Sequence, residues 1–137
     1  MTDTGRNAVE DLIVSMHEGH MAPEEFARRL LKEQLFMPVQ DEKHRIAGFQ
    51  ASTKATPLIV DDEDRNRVLV LFTSPDRAKA FLAHYPGYSG GLLTEFAWVV
   101  KRIAEGMGIS INPGQQLGMD LDPEMVAMTL GLLGEDA

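Results

Sequence analysis

Residues 67–85, with the sequence RVLVLFTSPDRAKAFLAHY, decide the fold class of this chain. The apolar, β-prone run from Val68 to Phe72 predicts a strand, and an amphipathic helix is predicted to follow it. Ser74 can cap this helix, Pro75 fits its first position because that amide needs no partner, and Asp76 lies at the positive end of the helix dipole. A strand that leads directly into a helix indicates a packed domain containing both kinds of element.

The apolar spacing on either side of this stretch predicts an α+β fold. The order of elements lacks the strict alternation of strand and helix that requires parallel pairing, so antiparallel pairing is expected. We predict a single domain with a roughly five-stranded, mainly antiparallel sheet covered by about five helices. The predicted helices cover residues 7–16, 23–32, 75–85, 92–105 and 123–133, and the predicted strands cover 35–39, 57–60, 68–72, 109–111 and 117–121, with a further short strand at 46–50.

The size and composition of the chain indicate one domain with a hydrophobic core. The chain has 137 residues, of which 44% are hydrophobic and 25% charged, so it is long enough to bury a core without a metal or a disulfide. No internal repeat, low-complexity tract or linker divides the sequence. We expect the domain to cover residues 7–133, with flexible ends at residues 1–6 and 134–137.

Charge and cysteine content argue against several classes of function. The 13 basic and 21 acidic residues give a net charge of -8, which repels phosphate backbones and anionic membranes, so neither a nucleic acid nor a membrane is expected as a partner. The absence of cysteine excludes disulfides, thiolate metal ligands and a thiol nucleophile. No apolar stretch approaches the roughly 18 residues that a membrane span requires, and a cytoplasmic location is expected.

Two features are candidates for contact with a partner protein. The run of four acids at residues 61–64 is the densest acidic cluster, but it lacks the spacing and the glycine of a calcium loop and is predicted to be a solvated turn. The predicted helix at 92–105 presents an apolar stripe toward the core, which includes Leu93, Phe96, Val100 and Ile103. Trp98 falls two residues after Phe96, so on this helix it points away from the stripe. Its ring is expected at the rim of the core or on the surface, where it could pack under a neighbouring helix or anchor a partner. The interaction candidates are Asp61, Asp62, Glu63, Asp64 and Trp98.

Neither a catalytic site nor a metal site is predicted. His17 and His20 are three residues apart, whereas the helical zinc-protease motif needs histidines four apart with a glutamate beside the first. Ser74 and Ser89 both lack the Gly-x-Ser-x-Gly context of a nucleophile elbow. We therefore expect a non-enzymatic protein with no catalytic residue, no cofactor and no bound metal.

Several short motifs together resemble the N-terminal domain of the SseB (enhanced serine sensitivity) family. They are LFMPV at 35–39, PLIV at 57–60 with the acidic turn after it, VLVLFTSP at 68–75, INPG at 111–114 and DPE at 122–124. Arg65 and Asn66 stand at a turn where glycine is common in the family, although Asn tolerates positive φ better than most residues. The resemblance implies an α+β fold and a bacterial cytoplasmic protein, and it implies no catalytic residues.

These observations favour an interaction module over an enzyme. The expected function is binding or regulation of another protein, and a basic protein fits the acidic charge, as for an immunity or chaperone-like protein. The alternative is a domain that senses a small metabolite such as an amino acid, which is prompted only by the serine phenotype in the name of the family that the chain resembles.

Overall fold

The computed structural model of the chain describes residues 7–40, 57–61, 65–88, 90–103 and 106–135. These residues form five helices and six strands, which confirms the predicted α+β class. None of the described helices is long and apolar enough to cross a membrane. The predicted strand at 46–50 and the predicted flexible residues 1–6 lie outside the described residues.

The helices are α1 (Ala8–His17), α2 (Pro23–Leu30), α3 (Pro75–Leu82), α4 (Phe96–Arg102) and α5 (Pro123–Glu135). The strands are β1 (Gln34–Val39), β2 (Ile59–Asp61), β3 (Arg67–Leu71), β4 (Gly90–Glu95), β5 (Gly108–Ile111) and β6 (Met119–Leu121).

Side chains cap the start of three helices. The predicted cap of α3 is confirmed, because Ser74 Oγ accepts a 3.3 Å hydrogen bond from the Arg77 amide. Asp122 caps α5 in the same way at 2.8 Å. A third cap was missing from the sequence prediction: Asn7 and Glu10 form a capping box at the start of α1, in which each side chain bonds the backbone amide of the other residue.

The strands form two sheets that meet at β1. Strands β1 and β4 pair antiparallel, and the second sheet has the order β2-β3-β5-β6. Phe36 of β1 and Phe72, just after β3, exchange backbone hydrogen bonds of 2.8 and 2.9 Å, and a second bridge joins Val39 to Pro57. The single sheet expected from the sequence is therefore two sheets linked by isolated bridges.

One strand pair is parallel, which the order of elements did not predict. Strand β3 pairs parallel with β5, whereas β2 with β3 and β5 with β6 are antiparallel. Helix α3, strand β4 and helix α4 lie between β3 and β5 in the chain. This long connection lets the chain return to the end of the sheet at which β3 begins, as a parallel crossover requires.

The predicted helix at 92–105 is wrong in its first part, because residues 90–95 form strand β4 and α4 begins at Phe96. The apolar residues Leu93, Phe96 and Val100 have helical spacing, which explains the prediction. However, β4 pairs with β1 along six residues, and this tertiary pairing outweighs a weak local preference. Leu93 was expected to face the core, yet 60% of its surface is exposed.

The two faces of the four-stranded sheet are covered to different extents. On the first face, Leu69, Leu71 and Ile109 belong to the main core, which also contains buried side chains of α1, α2, α4 and α5. On the second face, α3 packs a smaller cluster around Val70 and Phe72. Beyond that cluster an open groove extends over β5 and β6.

Candidate functional site

The groove on the second face of the four-stranded sheet has a volume of about 740 Å³. Its floor is formed by side chains that alternate with those of the main core, because successive residues of a strand point to opposite faces. Val68, Val70 and Ser110 contribute to this floor. One wall is formed by Phe81 and Tyr85, whose rings are stacked with 5.2 Å between their centroids.

All the charged residues among the described lining of the groove are acidic. They are Asp61 at the end of β2, Asp120 in β6 and Asp122 just before α5, and all three are exposed. Asp120 Oδ1 accepts a 2.6 Å hydrogen bond from Ser110 Oγ, and Asp122 Oδ1 accepts the bond that caps α5. The groove therefore combines an apolar floor with oriented carboxylates.

The groups that line the groove are of kinds that attract cations, and the described lining does not contain an activated nucleophile. Carboxylates attract ammonium and guanidinium groups, apolar surface accommodates the stems of lysine and arginine, and the ring faces of Phe81 and Tyr85 also attract cations. The hydroxyl of Ser110 donates to a carboxylate, and no histidine belongs to the described lining. Within the described residues, no three histidine or acidic side chains are grouped as a metal ion would require.

A second polar cluster joins α1 to the carboxyl ends of β3 and β5. Glu10, with 1% of its surface exposed, accepts a 2.5 Å hydrogen bond from Thr73 Oγ1 and a 2.9 Å bond from Arg77 Nε. The Asn112 side chain accepts from the Thr73 amide at 3.0 Å and donates to Thr73 Oγ1 at 3.0 Å. Asn7 Nδ2 donates to the Thr73 carbonyl at 2.8 Å. We call these five residues the Glu10 cluster.

The pKa of Glu10 lies below its ordinary value of 4.5. Burial raises the pKa of this carboxyl group, but the hydrogen bonds from Thr73, Arg77 and the backbone of Asn7 stabilise its charged form and lower the pKa by more. The positive charge of Arg77 acts in the same direction. Glu10 is therefore an anion at neutral pH, held by donors from three parts of the chain.

The Glu10 cluster is a structural clamp. No buried side-chain nitrogen or oxygen of the described residues lacks a hydrogen-bond partner, so the buried polar groups of this cluster are satisfied within the fold. It brings together Thr73 and Asn112, which lie 39 positions apart and belong to two of the motifs quoted above, FTS and NPG. These motifs therefore hold β3 and β5 together where both strands end.

The candidates from the sequence are found in different places. Asp61 lines the groove, whereas Asp62, Glu63 and Asp64 lie outside the described residues. Trp98 lies in α4 with 38% of its surface exposed, and the Arg102 guanidinium lies 4.1 Å from its ring centroid. The expectation that Trp98 points away from the core stripe is confirmed, and its role as an anchor stays a prediction.

Sequence reasoning did not identify Asp120 or Asp122 as groove residues, and it did not identify the Glu10 cluster. Asp120 stands between Met119 and Leu121, an alternation that places its side chain on the face opposite theirs. The spacing of Asn7 and Glu10 is that of a capping box and was also available in the sequence. The contacts of Glu10 with Thr73 and Arg77 had no such signal, because they depend on tertiary structure.

Comparison with known proteins agrees with the family resemblance that the motifs indicated. Neither a search of curated proteins nor a search of solved structures gave a significant match. A family model described as the SseB protein N-terminal domain matches residues 9–128, which is most of the chain. The matched segment includes all six strands, Glu10 and Thr73, and the acids of the groove. The chain therefore belongs to the SseB N-terminal domain family.

Proposed function

We propose that this domain is a non-enzymatic interaction module of the bacterial cytoplasm that binds a basic segment of another protein in the groove. The observation that carries the proposal is that Asp61, Asp120 and Asp122 surround an apolar floor to which the described residues add no lysine or arginine. An immunity or chaperone-like protein for a basic partner is the specific form of this function.

The chemistry of the groove fits lysine and arginine side chains. Their alkyl stems would pack on Val68 and against the rings of Phe81 and Tyr85, and their charged ends would reach the carboxylates at the edge of the groove. The net charge of -8 would speed the encounter with a basic partner, since complementary charge acts mainly on the association rate.

Three substitutions test the groove without removing its hydrogen bonds. In the variant Asp61→Asn, Asp120→Asn, Asp122→Asn, each side chain keeps an oxygen, which can still accept from Ser110 and cap α5. The matched control is Glu18→Gln, Asp76→Asn, Glu95→Gln, which has the same net charge and changes exposed acids that do not line the groove.

The experiment captures partners from a bacterial lysate with the wild type and both variants and compares them by mass spectrometry. We expect a basic protein that the wild type and the control recover and the groove variant loses. Its association rate with the wild type, measured by surface plasmon resonance, should fall steeply as salt is raised. Equal recovery by the groove variant, or an association rate that does not depend on salt, would refute the proposal.

An amino acid is the second candidate ligand, because the volume of the groove lies in the range of about 300 to 1,000 Å³ that small-molecule sites occupy. The groove acids could bind the ammonium group, but the described lining offers no lysine or arginine to the carboxylate. A ligand that binds only the folded protein raises its melting temperature. A thermal-shift screen with millimolar amino acids would show this rise. A melting temperature that none of the amino acids raises would refute the sensing function.

A further inference from the structure

Strand β4 has a free edge in the described part of the chain. It pairs with β1 along one side, and no described strand pairs along its other side. Residues 90–94 of this strand, GGLLT, contain no charge and no proline. Natural proteins usually protect an exposed strand edge with charged residues, a proline, a bulge or a covering segment. Residues 90–94 contain neither a charge nor a proline, so this edge is suited to pair with another strand.

The backbone hydrogen bonds of β1 show which groups of β4 point to the free edge. Phe36 bonds Phe72 with both its amide and its carbonyl, so neither group faces β4. Leu93 lies opposite Phe36, which makes this a pair without mutual hydrogen bonds. Leu93 consequently directs its amide and its carbonyl away from β1. Gly91 and Glu95, which lie two residues before and after it, direct their amides and carbonyls the same way.

A second copy of the strand fits this edge when the two-fold axis passes beside Leu93. In that antiparallel register Leu93 pairs with Leu93 of the other copy, and Glu95 lies opposite Gly91. About four hydrogen bonds can form: two between the leucines, and one from each Glu95 amide to a Gly91 carbonyl. The Glu95 carbonyl is not counted, because it lies at the start of α4.

The side chains support this register. Leu93 is the most exposed large hydrophobic residue of the described chain, at 60%, and it meets its own counterpart across the axis. The two Glu95 residues are four strand positions apart, about 14 Å, which exceeds the screening length of about 8 Å at physiological salt. The only charge on the strand therefore does not oppose the pairing.

We propose that β4 pairs with β4 of a second copy, so that the two β1-β4 sheets become one continuous sheet in a symmetric dimer. This surface shares no residue with the described lining of the groove, so the dimer is independent of the function proposed above. Because each copy carries a net charge of -8, added salt should strengthen the dimer, whereas it should weaken the binding of a basic partner.

The test measures mass and cross-linking in solution. Sedimentation equilibrium from micromolar to millimolar concentration should show the mass rise from one copy to two. Leu93→Lys places two ammonium groups across the axis and should abolish the rise. Leu93→Pro removes an amide that points to the free edge, so it should abolish the rise without removing a bond to β1. The control Leu130→Lys changes another exposed hydrophobic residue, and its dimer should be unchanged.

A cysteine variant tests the register. The chain has no cysteine, so Leu93→Cys introduces its only thiol. Paired residues in this register have Cα atoms about 5.5 Å apart, a separation that a disulfide can bridge. Mild oxidation should convert Leu93→Cys, but not Leu130→Cys, to a covalent dimer. A wild type that stays monomeric at millimolar concentration would overturn the proposal, and so would a dimer that survives both Leu93→Lys and Leu93→Pro.

Discussion

Replacing Glu10 with glutamine tests whether the Glu10 cluster stabilises the fold. In glutamine one carboxylate oxygen becomes an amide nitrogen, which cannot accept a hydrogen bond. If the remaining oxygen keeps the bonds from Thr73 and Arg77, the Asn7 amide loses its acceptor, and Arg77 loses its counter-charge.

The cost depends on how far the affected groups are buried. Glu10 is buried and the Asn7 amide is partly buried, and leaving a buried donor without a partner costs about 1 to 3 kcal/mol. The side chain of Arg77 is 35% exposed, so water screens its loss and adds little. We expect the free energy of unfolding to fall by about 2 kcal/mol, which lowers the melting temperature by about 5 to 10 °C in a domain of this size.

Urea denaturation at pH 7 measures this loss, with Glu24→Gln as the control. Glu24 forms an exposed ion pair with Arg28, which contributes about 0.3 to 0.5 kcal/mol. A loss for Glu10→Gln no larger than that of the control would show that the cluster does not stabilise the fold.

The pH dependence gives an independent test of the same residue. Because the pKa of Glu10 is lower in the folded protein than in the unfolded chain, its stabilisation is complete above the ordinary pKa of 4.5 and is lost as pH falls through the folded value. The unfolding free energies of the wild type and Glu10→Gln should therefore converge below pH 4.5. A constant difference down to acid pH would refute the assigned pKa shift.

Three further substitutions have expected outcomes in the same denaturation assay. Gly118→Ala should lower the free energy of unfolding by at least about 2 kcal/mol, because the added Cβ would stand 2.5 Å from the backbone carbonyl oxygen of Asn112. A loss smaller than that of the Glu24→Gln control would contradict this close contact. Gly131→Ala in α5 has open space and should stabilise by about 0.5 to 1 kcal/mol; any destabilisation would argue against a helix there. Asp122→Ala should cost about 1 kcal/mol as a lost cap, whereas Asp122→Asn should cost almost nothing, and equal losses would exclude the capping role.

The parts of the fold that the sequence predicted are those with a local cause. Ser74 caps α3 as predicted, by accepting a bond from the amide three residues later, and Asp122 of the DPE motif does the same for α5. The INPG motif forms an equally local turn, in which the Gln115 amide donates a 3.1 Å bond to the Asn112 carbonyl. Strand β4 was mistaken for a helix because its partner β1 lies more than fifty positions earlier. Its apolar spacing suits either structure, and only pairing decides between them.

The candidate site was predicted only in part for the same reason. Charge and the acidic turn indicated a surface for a basic partner, and Asp61 does line the groove. Alternation placed Asp120 opposite Met119 and Leu121, but its sharing one groove with Asp61 depends on the strand order β2-β3-β5-β6. The groove exists because α3 covers one part of a sheet face that no sequence pattern delimits. A backbone turn also differed from expectation: Arg65, rather than Asn66, has the positive φ of 68°.

The Glu10 cluster and the groove are physically coupled, because both are built on β3 and β5. The cluster holds the carboxyl ends of these strands to α1, and Val70 and Ser110, which lie opposite each other in the ladder, form part of the groove floor within three residues of Thr73 and Asn112. A substitution that loosens the cluster should therefore weaken partner binding even though Glu10 does not line the groove. The β4 edge is held by a six-residue ladder with β1, and the hydrogen bonds of the Glu10 cluster described above involve neither strand, so Glu10→Gln should leave the dimer unchanged. Loss of both properties in a variant that is still folded would mean that the groove and the edge are not independent surfaces.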